Sequence, residues 1–299
     1  MNTVMFSGQG AQKIGMGKEF HDNFPVCRRT FDEASEALGM DIAKLCFEER
    51  DLLNQTEYAQ PALVTTGIAV YRLLAERGFS PSYLMGLSLG EYTALTAAGV
   101  FDFTDAVKLV HKRGKIMSEF AGNGGMLASI GIASNVLENI CREMSNMGFV
   151  ACANYNTYEQ TVLAGEHTAL EACSAKIKDA GGKVMPLKVS GPFHTPLMSE
   201  ASKEFTRELL QLTAKETTLP VISNVDAELF RTEKYADILA RHMTSPARWT
   251  ECVEKAISMG TDTFIELGSG KTLVNFVKKI DSSVKAFAIE SIKDLEEIL

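Results

Sequence analysis

The pentapeptide Gly86-Leu87-Ser88-Leu89-Gly90 constrains this chain more than any other stretch. A short apolar run, Tyr83-Leu84-Met85, precedes it, and a helix-compatible one, Glu91-Tyr92-Thr93-Ala94-Leu95-Thr96-Ala97-Ala98, follows. Strand, Gly-x-Ser-x-Gly, helix is the context of a nucleophile elbow. The glycines allow a sharp turn and remove side chains that would crowd the serine. The serine hydroxyl is then presented at a helix N-terminus, where the next backbone N–H can donate to an oxyanion. The pentapeptide itself is made of common residues, so the flanking strand and helix carry the reading of Ser88 as a nucleophile. The competing explanation is a glycine-lined turn that only packs a helix onto a sheet.

Around this turn the chain alternates strands and helices. A strand at Thr3–Phe6 runs into the glycine-containing loop Ser7–Gln12, and helical patterns follow around 19–38. After Gln60-Pro61, read as a breaker, another helix covers 62–77 and ends at Gly78. A further helix is expected over 104–120. The pattern then changes to β-α-β-β-α-β: strand 124–131, helix 135–147, strands 149–155 and 160–165, helix 168–180 and strand 183–189. That order is the split βαβ, or ferredoxin-like, motif. Alternation resumes after Gly191-Pro192, with a helix over 196–212, a strand at 221–223, helices near 236–242 and 249–259, a strand at 263–267, a helix at 272–280 and a last strand at 284–289. Strands alternating with helices on both sides of the insertion predict an α/β fold. The expected architecture is an α/β-hydrolase-like, mostly parallel sheet with helices on both faces. Residues 1–123 and 191–299 would form this discontinuous catalytic domain, and 124–190 an inserted ferredoxin-like α+β subdomain.

Several function classes are disfavoured by composition. The net charge is −8, with no dense Lys/Arg block of the kind a nucleic-acid binder would show. No run of 18 apolar residues suggests a membrane span, and the N-terminus lacks the basic and apolar regions of a signal peptide. The six cysteines are scattered, without a C-x-x-C pair or a nearby histidine at ligand spacing, so no metal is expected. They read as reduced, mostly buried thiols of a cytoplasmic protein.

Five histidines are available as a base for Ser88. His21, His111 and His242 lie on polar helical stretches and read as solvated, and His167 starts a helix of the insertion. His194 differs: it sits in Ser190-Gly191-Pro192-Phe193-His194-Thr195-Pro196, a loop stiffened by two prolines where the insertion ends. Loops at such junctions line clefts. No Asp or Glu stands out as a third member, which leaves a backbone carbonyl to orient the imidazole. Arg113 falls on the apolar stripe formed by Ala106, Val107, Leu109, Val110, Ile116, Met117 and Phe120. A guanidinium buried there needs a partner. Either it makes a structural salt bridge, or it awaits a ligand carboxylate, whose two oxygens match its fork. Gly268-Ser269-Gly270-Lys271-Thr272 looks like a phosphate loop, but Ile265 stands where the required first glycine belongs, so nucleotide binding is not expected.

Taken together, these residues resemble the malonyl-CoA:acyl carrier protein transacylases over nearly the full chain. The resemblance rests on Phe6-Ser7-Gly8-Gln9-Gly10-Ala11-Gln12, Tyr58-Ala59-Gln60-Pro61-Ala62-Leu63, Gly86-Leu87-Ser88-Leu89-Gly90-Glu91-Tyr92 and Arg113-Gly114 with Met117. It continues through Ala153-Asn154-Tyr155-Asn156, 160–165, Phe193-His194, Ile222-Ser223-Asn224-Val225 and Glu266-Leu267-Gly268. It implies ping-pong transfer of a malonyl group from malonyl-CoA to the phosphopantetheine thiol of acyl carrier protein, through an ester on Ser88 with His194 as base. It further implies an oxyanion hole from the backbone N–H groups of Gln9 and Leu89, and carboxylate binding by Arg113. Gln9 and Phe193 would contact substrate. The histidine would be oriented by a backbone carbonyl within 245–249. Two positions depart from the family pattern: Leu87, where many members have histidine, and Arg248, where some have glutamine.

The resemblance implies no cofactor, with malonyl-CoA and the carrier protein as substrates. A freestanding acyltransferase serving a polyketide synthase is the nearest alternative. A serine hydrolase or thioesterase would share the elbow without needing a buried arginine, and a non-catalytic carrier-binding module would form no acyl-enzyme.

Overall fold

A computed structural model describes residues 1–298. In chain order its strands are β1 (Asn2–Phe6), β2 (Tyr83–Gly86), β3 (Gly124–Ile130), β4 (Val150–Thr157), β5 (Gln160–Glu166), β6 (Lys183–Pro186), β7 (Val221–Ile222), β8 (Thr263–Leu267) and β9 (Lys285–Ile289). They form two sheets. The larger has the order β7-β2-β1-β8-β9, with every neighbouring pair parallel.

Side chains of β1 alternate between two cores, as the two-residue period of a strand requires. Val4 and Phe6 enter a cluster with the helices Pro25–Leu38, Thr56–Glu76, Leu89–Ala97, Phe103–Glu119 and Ser199–Leu209. Met5 points the other way, into a cluster with Trp249–Ser258 and Thr272–Ile280. Helices therefore cover both faces, the arrangement a parallel sheet needs. Strand order reverses about β1: the chain moves outward through β2 and β7, then crosses to β8. Crevices at the carboxyl ends of strands beside such a switch point are where α/β sheets bind ligands. The loop after β1 and the elbow after β2 both lie there.

The second sheet has the order β4-β5-β3-β6 and is antiparallel throughout. This is the ferredoxin-like order of a β-α-β-β-α-β chain. One face carries the helices Ser134–Glu143 and His167–Asp179 on a core that includes Leu127, Leu137, Leu163 and Ile177. The other presents Met126, Ala128, Val162 and Ala164 to the large core. The chain crosses into and out of this unit side by side, with Gly191 packed on Ala121.

Several local expectations are corrected. Pro61 does not break a helix; it lies inside Thr56–Glu76. Proline leaves the carbonyl four residues back without its usual donor, and here the Glu57 carbonyl is met at 3.2 Å by His111 Nδ1. The helical pattern over 19–38 is two helices, Lys18–Asn23 and Pro25–Leu38. Pro25 holds Phe24 extended at φ −125°, ψ 119°, which separates them. β6 ends at Pro186 rather than continuing to 189. Short helices at Ile42–Phe47, Arg50–Leu53 and Ile292–Ile298 had too few turns to show a period.

Candidate active site

β2 delivers the chain to Ser88, whose backbone stands at φ 52°, ψ −108°. A non-glycine residue held there costs about 1–3 kcal/mol, and such strain clusters at functional sites. The flanking glycines are required by contact. A Cβ on Gly90 would lie 2.0 Å from the Phe6 carbonyl oxygen, and one on Gly86 would lie 2.1 Å from the Gly90 carbonyl carbon. The helix Leu89–Ala97 therefore starts hard against β1 and leaves Ser88 at the apex.

His194 lies opposite, with Nε2 2.8 Å from Ser88 Oγ. Its own φ is 61°, and the Thr195 hydroxyl braces the loop by donating to the Pro192 carbonyl at 2.6 Å. The ring is 5% exposed. Burial, then the neighbouring His242 and Arg113, lower its pKa from 6.5 to about 3. The imidazole is thus neutral and able to take a proton. Nδ1 meets no acceptor in hydrogen-bond geometry, although the carbonyls of His242 and Ser245 lie toward the ring and offset part of its loss of basicity. Ser245 belongs to the segment expected to orient the histidine.

The loop after β1 passes over the elbow, with Gly8 against the Leu87 carbonyl. Among the described residues, the backbone N–H groups of Gln9 and Leu89 meet no protein acceptor. Leu89 is the first residue of its helix, where the dipole adds to the donor. The Gln9 side chain donates to Thr56 Oγ1 at 3.0 Å. A cleft of about 280 Å³ begins here, between the two sheets, lined by Gly8, Gln9, Leu87, Asn154, Asn156 and Gln160. Phe193 is buried in the large core beside His194.

Arg113 is 1% exposed. Nη1 donates to Gln60 Oε1 at 2.9 Å, while among the described residues Nε and Nη2 have no partner in hydrogen-bond geometry, although the Tyr92 side chain lies toward the guanidinium. Its guanidinium carbon lies 5.0 Å from the ring centroid of Tyr92, on the elbow helix. Burial lowers its pKa, but a guanidinium stays charged in proteins. Among the described residues no carboxylate comes within ion-pair distance, so the structural salt bridge is not made. A buried cation with donors to spare has the chemistry to receive an anionic group.

Two further expectations change. His242, read as solvated, is 1% exposed and places Nε2 3.2 Å from Glu91 Oε2. Its helix, Tyr235–Thr244, buries Ile238, Leu239, His242 and Met243. That spacing was available in the sequence as a signal for a buried histidine. Asn224 and Glu91, which were given no role, meet at the elbow: Asn224 Oδ1 accepts from Ser88 N at 2.7 Å. The loop at Gly268–Thr272 has its Gly270 N–H bonded to Glu290 Oε2 at 3.0 Å, and Ser269 Oγ donates to the Ala11 carbonyl at 2.7 Å. It serves to hold the loop after β1. All six cysteines are free and buried, and among the described residues no cluster of His, Cys, Asp and Glu could hold a metal. No helix among them is long and apolar enough to cross a membrane.

Comparison with known proteins bears on this site. The family model described as "Acyl transferase domain" matches residues 3–293. The malonyl CoA-acyl carrier protein transacylase of Bacillus subtilis (strain 168) is 42% identical over 300 residues, covering 98% of this chain and 94% of that one. The protein of that name from Escherichia coli K12 is 38% identical, covering 95% and 94%. The crystal structure of the transacylase from Clostridium perfringens superposes with a TM-score of 0.96 at 41% identity, covering 99% and 95%. A malonyl-transacylase solved in complex with its type II PKS acyl-carrier protein superposes at 0.97 with 36% identity, covering 100% and 98%.

Proposed function

The chain belongs to the acyl transferase domain family, and from that premise we propose that it transfers the malonyl group of malonyl-CoA to the phosphopantetheine thiol of acyl carrier protein, supplying fatty acid synthesis. One observation carries the choice of acyl group: a buried arginine with two unpaired donors, beside a Ser–His pair at 2.8 Å.

Each site residue then has a part. Ser88 Oγ attacks the thioester carbonyl carbon as its proton passes to His194 Nε2. The tetrahedral oxyanion is held by the N–H groups of Gln9 and Leu89. Collapse breaks the C–S bond, the CoA sulfur takes the proton from Nε2, and a malonyl ester remains on Ser88. The carrier's thiol next gives its proton to Nε2 and attacks the ester. The proton finally returns to Ser88 Oγ. Throughout, the Nε and Nη2 edge of Arg113 faces the malonyl carboxylate, with Gln9 and Phe193 beside the substrate. Serine and histidine supply all the proton and acyl transfers, so the reading needs no cofactor or metal. Six free cysteines favour the reducing cytoplasm.

A second reading, a freestanding transacylase for a polyketide synthase, gains support from the neighbour solved with a type II PKS carrier. Intact-protein mass measurement tests the proposal. Malonyl-CoA should add one malonyl mass, and a phosphopantetheinylated carrier should remove it and gain it. Free malonate as the sole product would favour a hydrolase. Comparing fatty acid and polyketide carriers as acceptors separates the two transferase readings.

A further inference from the structure

Beneath the elbow lies a buried polar cluster that the transfer steps above do not use. Asn224 follows β7, the neighbour of β2 in the large sheet. Its carboxamide reaches both sides of the strained turn. Oδ1 accepts from Ser88 N at 2.7 Å, and Nδ2 donates to the Gly86 carbonyl. The same Nδ2 donates to Glu91 Oε2 at 2.8 Å, and the Asn224 backbone N–H donates to that oxygen at 2.6 Å. His242 Nε2 completes the set at 3.2 Å. One carboxylate oxygen, on a residue with no solvent exposure, therefore gathers donors from three directions.

The orientation of the amide follows from these contacts. Its nitrogen faces two acceptors and its oxygen faces one donor, so the flipped amide would set oxygen against oxygen twice. Glu91 thereby reinforces, with the Gly86 carbonyl, which end of Asn224 meets Ser88. It stands in the first turn of the elbow helix, so the clamp closes on the element it holds. The cluster also touches the base: the His242 ring packs edge-on to that of His194, with centroids 5.7 Å apart.

We propose that Asn224 and Glu91 are a positioning pair for the nucleophile: Asn224 staples Gly86 to Ser88 across the strained turn, and Glu91 holds the staple in register. Neither touches substrate. A backbone at φ 52° persists only when its surroundings over-determine it. With the staple gone, Ser88 relaxes and its hydroxyl leaves the line between His194 and the acyl carbon. A displacement near 1 Å lowers a rate by about 100-fold.

The inference rests on Ser88 being the nucleophile, and a double-mutant cycle tests it. Single-turnover acylation by malonyl-CoA is followed by quenched intact-protein mass for the wild type, Asn224→Ala, Glu91→Ala and the double variant. A fluorophosphonate reacting with the serine is followed in parallel. Asn224→Ala should acylate about 100-fold more slowly, with the half-saturating malonyl-CoA concentration unchanged. The double variant should be no slower than Asn224→Ala within about threefold, because Glu91 acts through Asn224. Glu91→Gln, which keeps an acceptor oxygen, should restore most of the rate lost in Glu91→Ala.

Asn224→Asp, matched in size, keeps the acceptor for Ser88 but turns an oxygen on Gly86 and Glu91. It should be as slow as the alanine variant and shows the effect if that variant does not fold. Acylation by a folded Asn224 variant within threefold of wild type would overturn the proposal, as would single losses that multiply in the double variant. If malonyl-CoA leaves no adduct on the wild type, the substrate reading fails instead, and the fluorophosphonate rates decide the positioning role.

Discussion

His194 Nε2 stands 2.8 Å from Ser88 Oγ on a ring that is 5% exposed, so the proposed base is already bonded to the nucleophile and shielded from water before any substrate arrives. Burial lowers the imidazole pKa from 6.5 to about 3. A histidine at its ordinary value would lose most of its base function below pH 6. Here kcat/KM for acylation should change less than about twofold between pH 5 and 8, because the ring stays neutral throughout. Initial rates across that range check this, and an acid limb centred at 6.5 would show that the ring is not shielded. The sign for stability is the opposite of a salt-bridged histidine. The folded state resists protonation, so this contribution is present above 6.5 and is lost as pH falls toward 3.

Ser88→Ala should abolish the malonyl adduct and leave the far-ultraviolet circular dichroism unchanged, since only Oγ is removed. His194→Ala should slow acylation by about 10²–10⁴-fold through loss of the proton acceptor. Stopped-time mass measurement reads both. An adduct persisting on Ser88→Ala would place the nucleophile elsewhere.

How much of this was legible in the sequence differs residue by residue. The elbow could be read because each glycine answers a contact: Gly90 meets the Phe6 carbonyl, and no larger residue fits. The inserted β-α-β-β-α-β unit could be read because its strands and helices keep their periods. Arg113 falls on a stripe that is indeed buried, but only three-dimensional structure shows that it bonds Gln60 and that among the described residues no carboxylate comes within ion-pair distance. His242 reads as solvated from its charged neighbours Asp237 and Arg241, yet its spacing from Ile238 and Leu239 puts it on the buried face of its helix. Asn224 and Glu91 are 133 residues apart, and no local pattern could bring them together. Pro61 reads as a breaker ahead of a helix from 62, whereas the helix begins at Thr56 and contains it; the His111 bond to the Glu57 carbonyl that accommodates it comes from another helix.

Glu266 offers a pH test of the loop that carries Gln9. Its carboxylate accepts from Ser7 Oγ at 2.9 Å and from Val274 N at 3.0 Å. Burial nevertheless raises its pKa from 4.5 to about 7. The folded state favours the neutral acid, so this contribution is fully present below 4.5 and is lost as pH rises through 7. The loss is on the order of 3 kcal/mol at most. Denaturant midpoints of wild type and Glu266→Gln, compared from pH 5 to 8, should converge at the acid end and separate at the alkaline end, with the variant the more stable there. Parallel curves would show that Glu266 does not titrate in this range.

The proposed function makes Arg113 the residue that sets which acyl group the site prefers. Among the described residues its one protein hydrogen bond goes to Gln60, leaving Nε and Nη2 unpaired on a side chain shielded from water. A malonyl carboxylate would fill both with charge-assisted bonds. Removing one partner of such a shielded pair costs about 2–5 kcal/mol, much of it the penalty on the charge left behind. Arg113→Ala should therefore lower kcat/KM for malonyl-CoA by about 30- to 4,000-fold, the range those energies convert to at 1.4 kcal/mol per decade. Acetyl-CoA brings no carboxylate to the same site. Against it the wild-type arginine is a buried cation without a counter-charge, so its acylation should hold steady or rise in the variant. The ratio of the two rates is the measurement, and unfolding cannot imitate the expected result, because it would lower both together. An equal fall for the two substrates would make Arg113 a residue of the fold rather than of specificity.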